Sequence, residues 1–65
     1  MKLYNVPRNT WVRGIEPDCK DEFLYHHEDG MYSFCHDREG NICHYKAWME
    51  VEIMEEANDK YISNQ

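Results

Sequence analysis

The sequence predicts an all-β domain built from five short antiparallel strands. Three observations carry that reading. Runs of β-branched and aromatic residues recur along the chain, two of the intervals between them hold glycine-centred turn sequences, and one late segment alternates strictly between apolar and acidic residues. A chain of 65 residues has room for one such domain and no second one.

The first strand is Thr10-Trp11-Val12-Arg13, closed by Gly14. Residues 15–22 read as a loop, because Pro17 removes a ladder donor and the acidic side chains oppose regular pairing. The second strand runs from Glu22 to His27 and ends at Glu28-Asp29-Gly30, where Asp-Gly signals a tight hairpin. The third is Met31–His36 and the fourth Asn41–Tyr45. Between them, Asp37-Arg38-Glu39-Gly40 has the pattern of a type I turn followed by a glycine in the left-handed region. If Asp37 opposes Asn41, Cys35 faces Cys43 and His36 faces Ile42. A four-residue loop instead sets Cys35 against Ile42, and the residues alone leave both registers open.

Lys46-Ala47-Trp48 forms a short helical turn into the fifth strand, Met49–Met54. There Met49, Val51 and Ile53 alternate with Glu50 and Glu52, as on a strand with one wet face. Residues 55–65 read as an acidic, polar tail with some helical potential, leaving residues 1–54 as the domain. Five strands, a long first loop, two tight turns and a short turn before the last strand match the order of elements in a small SH3-like barrel. Closing a sheet on itself lets a very small domain bury apolar faces and limit open edges. An open antiparallel sheet covered by a C-terminal helix is the second architecture that fits.

Charge narrows the function classes. The net charge is −6, and it is polarised: Lys2, Arg8 and Arg13 have no acid among residues 1–14, whereas residues 15–65 set thirteen acids against four bases. A general nucleic-acid binder needs a basic stripe, so nucleic acid is a disfavoured partner. No apolar run has the length of a membrane span, and Met1–Pro7 lacks the apolar core of an export signal. The expectation is a cytoplasmic chain in a reducing compartment, with Cys19, Cys35 and Cys43 as free thiols.

Cys35-His36 and Cys43-His44 form two Cys-His dipeptides on facing strands, a donor set that zinc accepts. Neighbours on a strand point to opposite faces, so each dipeptide needs a bulge to turn both side chains toward one ion. The expectation is therefore no cofactor, with zinc at Cys35, Cys43, His36 and His44 as the alternative. A domain of this size leaves little room for a substrate cleft with an oxyanion hole, so the reading is non-enzymatic.

Aromatic residues are dense for so short a chain, and Tyr and Trp dominate binding hot spots. Trp11, Tyr32 and Trp48, with Glu50 and Glu52 beside them, are the candidate partner-binding residues.

Asp29-Gly30-Met31-Tyr32-Ser33-Phe34-Cys35, then Gly40-Asn41-Ile42-Cys43-His44, Ala47-Trp48, Val51-Glu52 and the opening Tyr4–Arg13 resemble small uncharacterised accessory proteins of tailed bacteriophages. The resemblance implies a protein made in the cytoplasm of an infected bacterium and brings no active-site residues with it. Small acidic phage proteins commonly bind and disable a host protein, which makes a host or phage protein the expected partner. A zinc-stabilised structural or nucleic-acid accessory protein, and a self-associating structural protein, are the competing readings.

Overall fold

A computed structural model describes residues 1–55; the remainder of the expected tail, 56–65, lies outside the described residues. The chain forms one five-stranded antiparallel sheet: β1 (Thr10–Gly14), β2 (Glu22–Asp29), β3 (Tyr32–His36), β4 (Ile42–Cys43) and β5 (Val51–Ile53). Spatial order is β4-β3-β2-β1-β5, with no ladder joining β4 to β5 among the described residues. The sheet is therefore open. A three-residue 3-10 turn, Leu3–Asn5, precedes it.

Both tight turns follow from their glycines. Asp29 pairs with Tyr32 across Gly30-Met31, and Gly30 takes φ +68°, which suits a two-residue hairpin with glycine in the first loop position. At the second turn Asp37 N–H donates to Asn41 O at 3.0 Å and Gly40 takes φ +86°. Asp37 Oδ1 accepts the amides of Glu39 and Asn41 at 3.0 and 2.9 Å, holding the loop from inside. This turn selects the first of the two registers: Cys35 opposes Cys43 and His36 opposes Ile42.

β4 is shorter than the expected 41–45, and β5 shorter than 49–54. Between them the chain leaves the ladders and crosses toward the opposite edge while bonding to both sides. Tyr45 O accepts Ser33 N–H at 2.8 Å, and Met31 O accepts Ala47 N–H at 2.9 Å. Met49 O then accepts Leu3 N–H at 2.9 Å, and Met1 O accepts Val51 N–H at 2.8 Å. A turn at 46–49, closed by Met49 N–H to Lys46 O at 3.1 Å, occupies the expected position.

The core lies on one face of the sheet, where Val12, Phe23, Tyr25, Cys35 and Val51 are buried with Leu3, Val6 and Met49. Phe23 stacks on Tyr45 at 4.0 Å between ring centroids. The alternation predicted for β5 is present: Met49 and Val51 are buried while Glu52 faces solvent. Glu52 meets the guanidinium of Arg13, its cross-strand partner.

Gly14 is fixed by space. An alanine Cβ there meets Cys19 O and Met49 Cε, each at 2.6 Å. Met49 can swing aside, but the Cys19 carbonyl is backbone and holds the first loop against β1. Gly14→Ala is expected to destabilise the domain by about 1–3 kcal/mol through overpacking. Thermal unfolding reads this as a drop of roughly 4–8 °C per kcal/mol for a domain of this size.

Candidate functional site

A cleft of about 380 Å³ opens between the β1–β2 loop, the start of β3 and the 44–49 segment. Its residues include Glu16, Asp18, Tyr32, Lys46, Trp48 and Met49. Each is placed by backbone geometry already described. Tyr32 opens β3 immediately after the Gly30 hairpin and bridges to Lys46. Trp48 sits at the crown of the 46–49 turn, with buried residues Ala47 and Met49 anchoring either side. The two aromatics stay 56% and 44% exposed, whereas Phe23 and Tyr25 are buried in the core.

The acidic side of the cleft is ordered by Glu16. Its carboxylate accepts Glu50 N–H at 3.1 Å and pairs with Lys46 Nζ at 3.2 Å. The Glu50 amide, then Lys46, hold the Glu16 carboxyl below its ordinary range. Lys46 is thus already matched, whereas Asp18 has no ion-pair partner among the described residues.

Of the five candidate partner-binding residues, the fold brings Tyr32 and Trp48 into one cleft and places the other three elsewhere. Glu50 lies behind it, paired with Lys2 Nζ at 2.9 Å and with the Met1 amine at 3.4 Å. Glu52 is matched by Arg13 on the opposite face of β5. Trp11 lies on the outer face of β1, edge-on to His36 at 6.0 Å, with the Arg38 guanidinium 4.9 Å from its ring. Glu16, Asp18 and Lys46 join the cleft by tertiary folding alone. The acidic loop around Pro17 was the visible signal for Glu16 and Asp18, and Lys46 had none.

The four candidate metal ligands do not converge. Cys35 is buried on the core face, its Sγ 3.2 Å from Ser33 Oγ, and burial pushes its thiol up to about 11. Cys43 faces it across the ladder, and both are free thiols. His36 lies on the outer face, while His44 Nδ1 meets Ser33 O at 3.0 Å. Among the described residues no three His, Cys, Asp or Glu side chains gather as a ligand set.

Three of the four histidines pack their rings against Phe34. His27 stacks on that ring at 5.3 Å, and His26 and His44 meet it edge-on at 5.4 and 5.9 Å. A β-bulge makes this possible. Tyr25 pairs with Cys35 and His27 with Phe34, so His26 is the inserted residue.

Acid should loosen the fold through carboxylates that gain partners on folding. Lys2 lowers Glu50, the Asn41 amide lowers Asp37, and the Glu50 amide lowers Glu16. A depressed folded-state pKa contributes stability that is present above the unfolded value and lost as pH falls through the folded one. Urea midpoints are therefore expected to hold through neutral pH and to fall below about pH 4.5. Glu50→Gln should flatten part of that decline.

Comparison with protein-family models, curated proteins and solved structures finds no match to this chain. No helix among the described residues is long and apolar enough to cross a membrane.

Proposed function

We infer that the chain is a small non-enzymatic binding module that docks an extended, basic segment of another protein in the Tyr32–Trp48 cleft. The observation that carries this reading is the pair of half-exposed aromatics on a preorganised backbone, beside an acidic rim. Aromatic anchors in a recess supply most of the energy of such contacts, and a rigid site lowers the ordering cost. Charge complementarity favours a cationic partner: Lys46 is matched by Glu16, Asp18 is unmatched, and the whole chain carries −6.

An SH3-like barrel is the finer architecture we propose for this module. The strand order and the 45–51 segment, bonded to β3 on one side and to residues 1–3 on the other, support it. The resemblance to accessory proteins of tailed bacteriophages supports a bacterial host protein as the partner, met in the host cytoplasm and modulated by occupancy. The test is capture from a bacterial lysate by the intact chain and by its Trp48→Ala, Tyr32→Ala double variant. One protein held stoichiometrically by the intact chain and lost from the folded double variant supports the reading. Bait alone, or equal capture by both chains, overturns it.

A further inference from the structure

Cys35 on β3 and Cys43 on β4 are cross-strand partners. The register around them is fixed from both sides. Asp37 N–H donates to Asn41 O at 3.0 Å, and Ser33 N–H donates to Tyr45 O at 2.8 Å. Cys35 and Cys43 lie midway between these two bonded pairs and share their phase of the antiparallel ladder, where facing Cα atoms stand about 5.5 Å apart. Disulfides span Cα separations of about 4.4–6.8 Å, so this pair can be bridged without moving the backbone. Facing residues of a ladder also share one side of the sheet: Cys35 is buried in the core, and Cys43 packs against the same cluster.

We propose that Cys35 and Cys43 are a reversible modification site, closing as a disulfide by exchange with a low-molecular-weight disulfide such as oxidised glutathione. Cys43 is the entry sulfur, because it keeps partial exposure whereas Cys35 has none. The Cys43 thiolate attacks one sulfur of the small disulfide, forming a mixed disulfide and releasing one small thiolate. Cys35 then gives up its proton and attacks Cys43 Sγ, and the second small thiolate leaves. The protein has lost two protons and two electrons, and the small disulfide has taken them up as two thiols.

The surroundings set the order of these steps. Burial pushes the Cys35 thiol up to about 11, so Cys35 is a poor first nucleophile. Once the mixed disulfide stands opposite it, the attack is intramolecular, and the high effective concentration of two facing residues offsets a small thiolate fraction. Ser33 Oγ, 3.2 Å from Cys35 Sγ, is placed to donate to the thiolate as it forms. Cys19 stands apart. It lies in the loop between β1 and β2, where its Sγ meets Asp21 Oδ2 at 3.8 Å, and no ladder sets it against either partner.

The bond ties β4, an edge strand of two residues, to β3. The covalent ring from Cys35 to Cys43 closes over a turn that Asp37 already holds, so it adds a constraint without asking for a new fold. Residues 44–49 run directly from β4 into the wall of the Tyr32–Trp48 cleft. In a reducing compartment, exchange with small thiols reopens the bond by the reverse of the same two steps.

The experiment incubates the folded full chain with millimolar oxidised glutathione at about pH 8, where thiolates are populated, then alkylates the remaining thiols and maps tryptic peptides. Cleavage after Lys20 and Arg38 puts the three cysteines in separate peptides. The expected product is a monomeric chain with Cys35 joined to Cys43 and Cys19 outside the link, fully reversed by dithiothreitol. Cys43→Ser should form no intrachain bond, and Cys35→Ser should stop at the Cys43 mixed disulfide. Backbone amide spectra before and after oxidation establish that the fold is retained, and if Cys35→Ser fails to fold, Cys43→Ser and the intact chain decide. A mixed disulfide at Cys43 that persists in the intact chain, an intrachain link through Cys19, or a Cys35–Cys43 bond that forms only in urea overturns the proposal.

Discussion

Phe23→Ala is expected to remove most or all of the folding free energy. Phe23 has no exposed surface, opposes Val12 on β1 and stacks on Tyr45 at 4.0 Å. Truncating a buried phenylalanine costs about 3–5 kcal/mol, while a domain of this length has roughly 3–10 kcal/mol in total. The damage reaches past the cavity. Tyr45 loses its stacking partner, and its hydroxyl, which donates to Asp21 Oδ2 at 3.0 Å, no longer has a fixed approach to the first loop. The 44–49 segment would then lose its hold on the core exactly where it walls the cleft. Urea unfolding followed by tryptophan fluorescence should show a much-reduced midpoint or no folded baseline. Phe23→Leu, which keeps most of the volume, is expected to cost less than the truncation.

Trp48→Ala should have the largest effect on partner binding with little effect on the fold. Trp48 is 44% exposed, and the buried contacts at its turn come from Ala47 and Met49. Removing a central aromatic anchor costs at least about 2 kcal/mol, or roughly 30-fold in Kd. Tyr32→Ala should act in the same direction, because Tyr32 lines the other side of the same recess. Ile42→Ala supplies the contrast: Ile42 is 55% exposed but lies on the far edge strand, so its loss should leave affinity unchanged. Calorimetry with the captured partner measures all three. A Trp48→Ala chain that is folded and binds as tightly as the intact one removes the cleft from the account.

Local chemistry made much of the sheet legible. Gly30 and Gly40 marked the two tight turns because each adopts a positive φ that other residues resist. Met49, Val51 and Glu52 marked the fifth strand because period-two alternation has few other meanings. The register of the second hairpin was open until Asp37 O and N and its carboxylate could be seen closing on Gly40 and Asn41.

Three features were hidden for physical reasons. The bulge at His26 depends on how β2 and β3 share their bends, and no residue there has a special backbone preference. The early end of β4 depends on where the 45–51 segment is drawn, which is a tertiary demand. Leu3–Asn5 forms its turn because Met49 O and Ala47 O accept the Leu3 and Tyr4 amides, partners more than forty residues away. The candidate site shows the same division. Tyr32 and Trp48 were visible as aromatics, but their meeting with Glu16, Asp18 and Lys46 required the fold. Glu50 and Glu52 looked like free acids in sequence and proved to be matched by Lys2 and Arg13.

Amide chemical-shift mapping of the isotope-labelled chain, titrated with its captured partner, tests the binding-cleft claim most directly. The account predicts shifts concentrated at residues 16–19, Tyr32 and 45–49, with Trp11, Phe34 and Ile42 unaffected. Shifts centred on Trp11, Phe34 and Ile42, with the cleft silent, would contradict it and move the binding surface to the opposite side of the sheet.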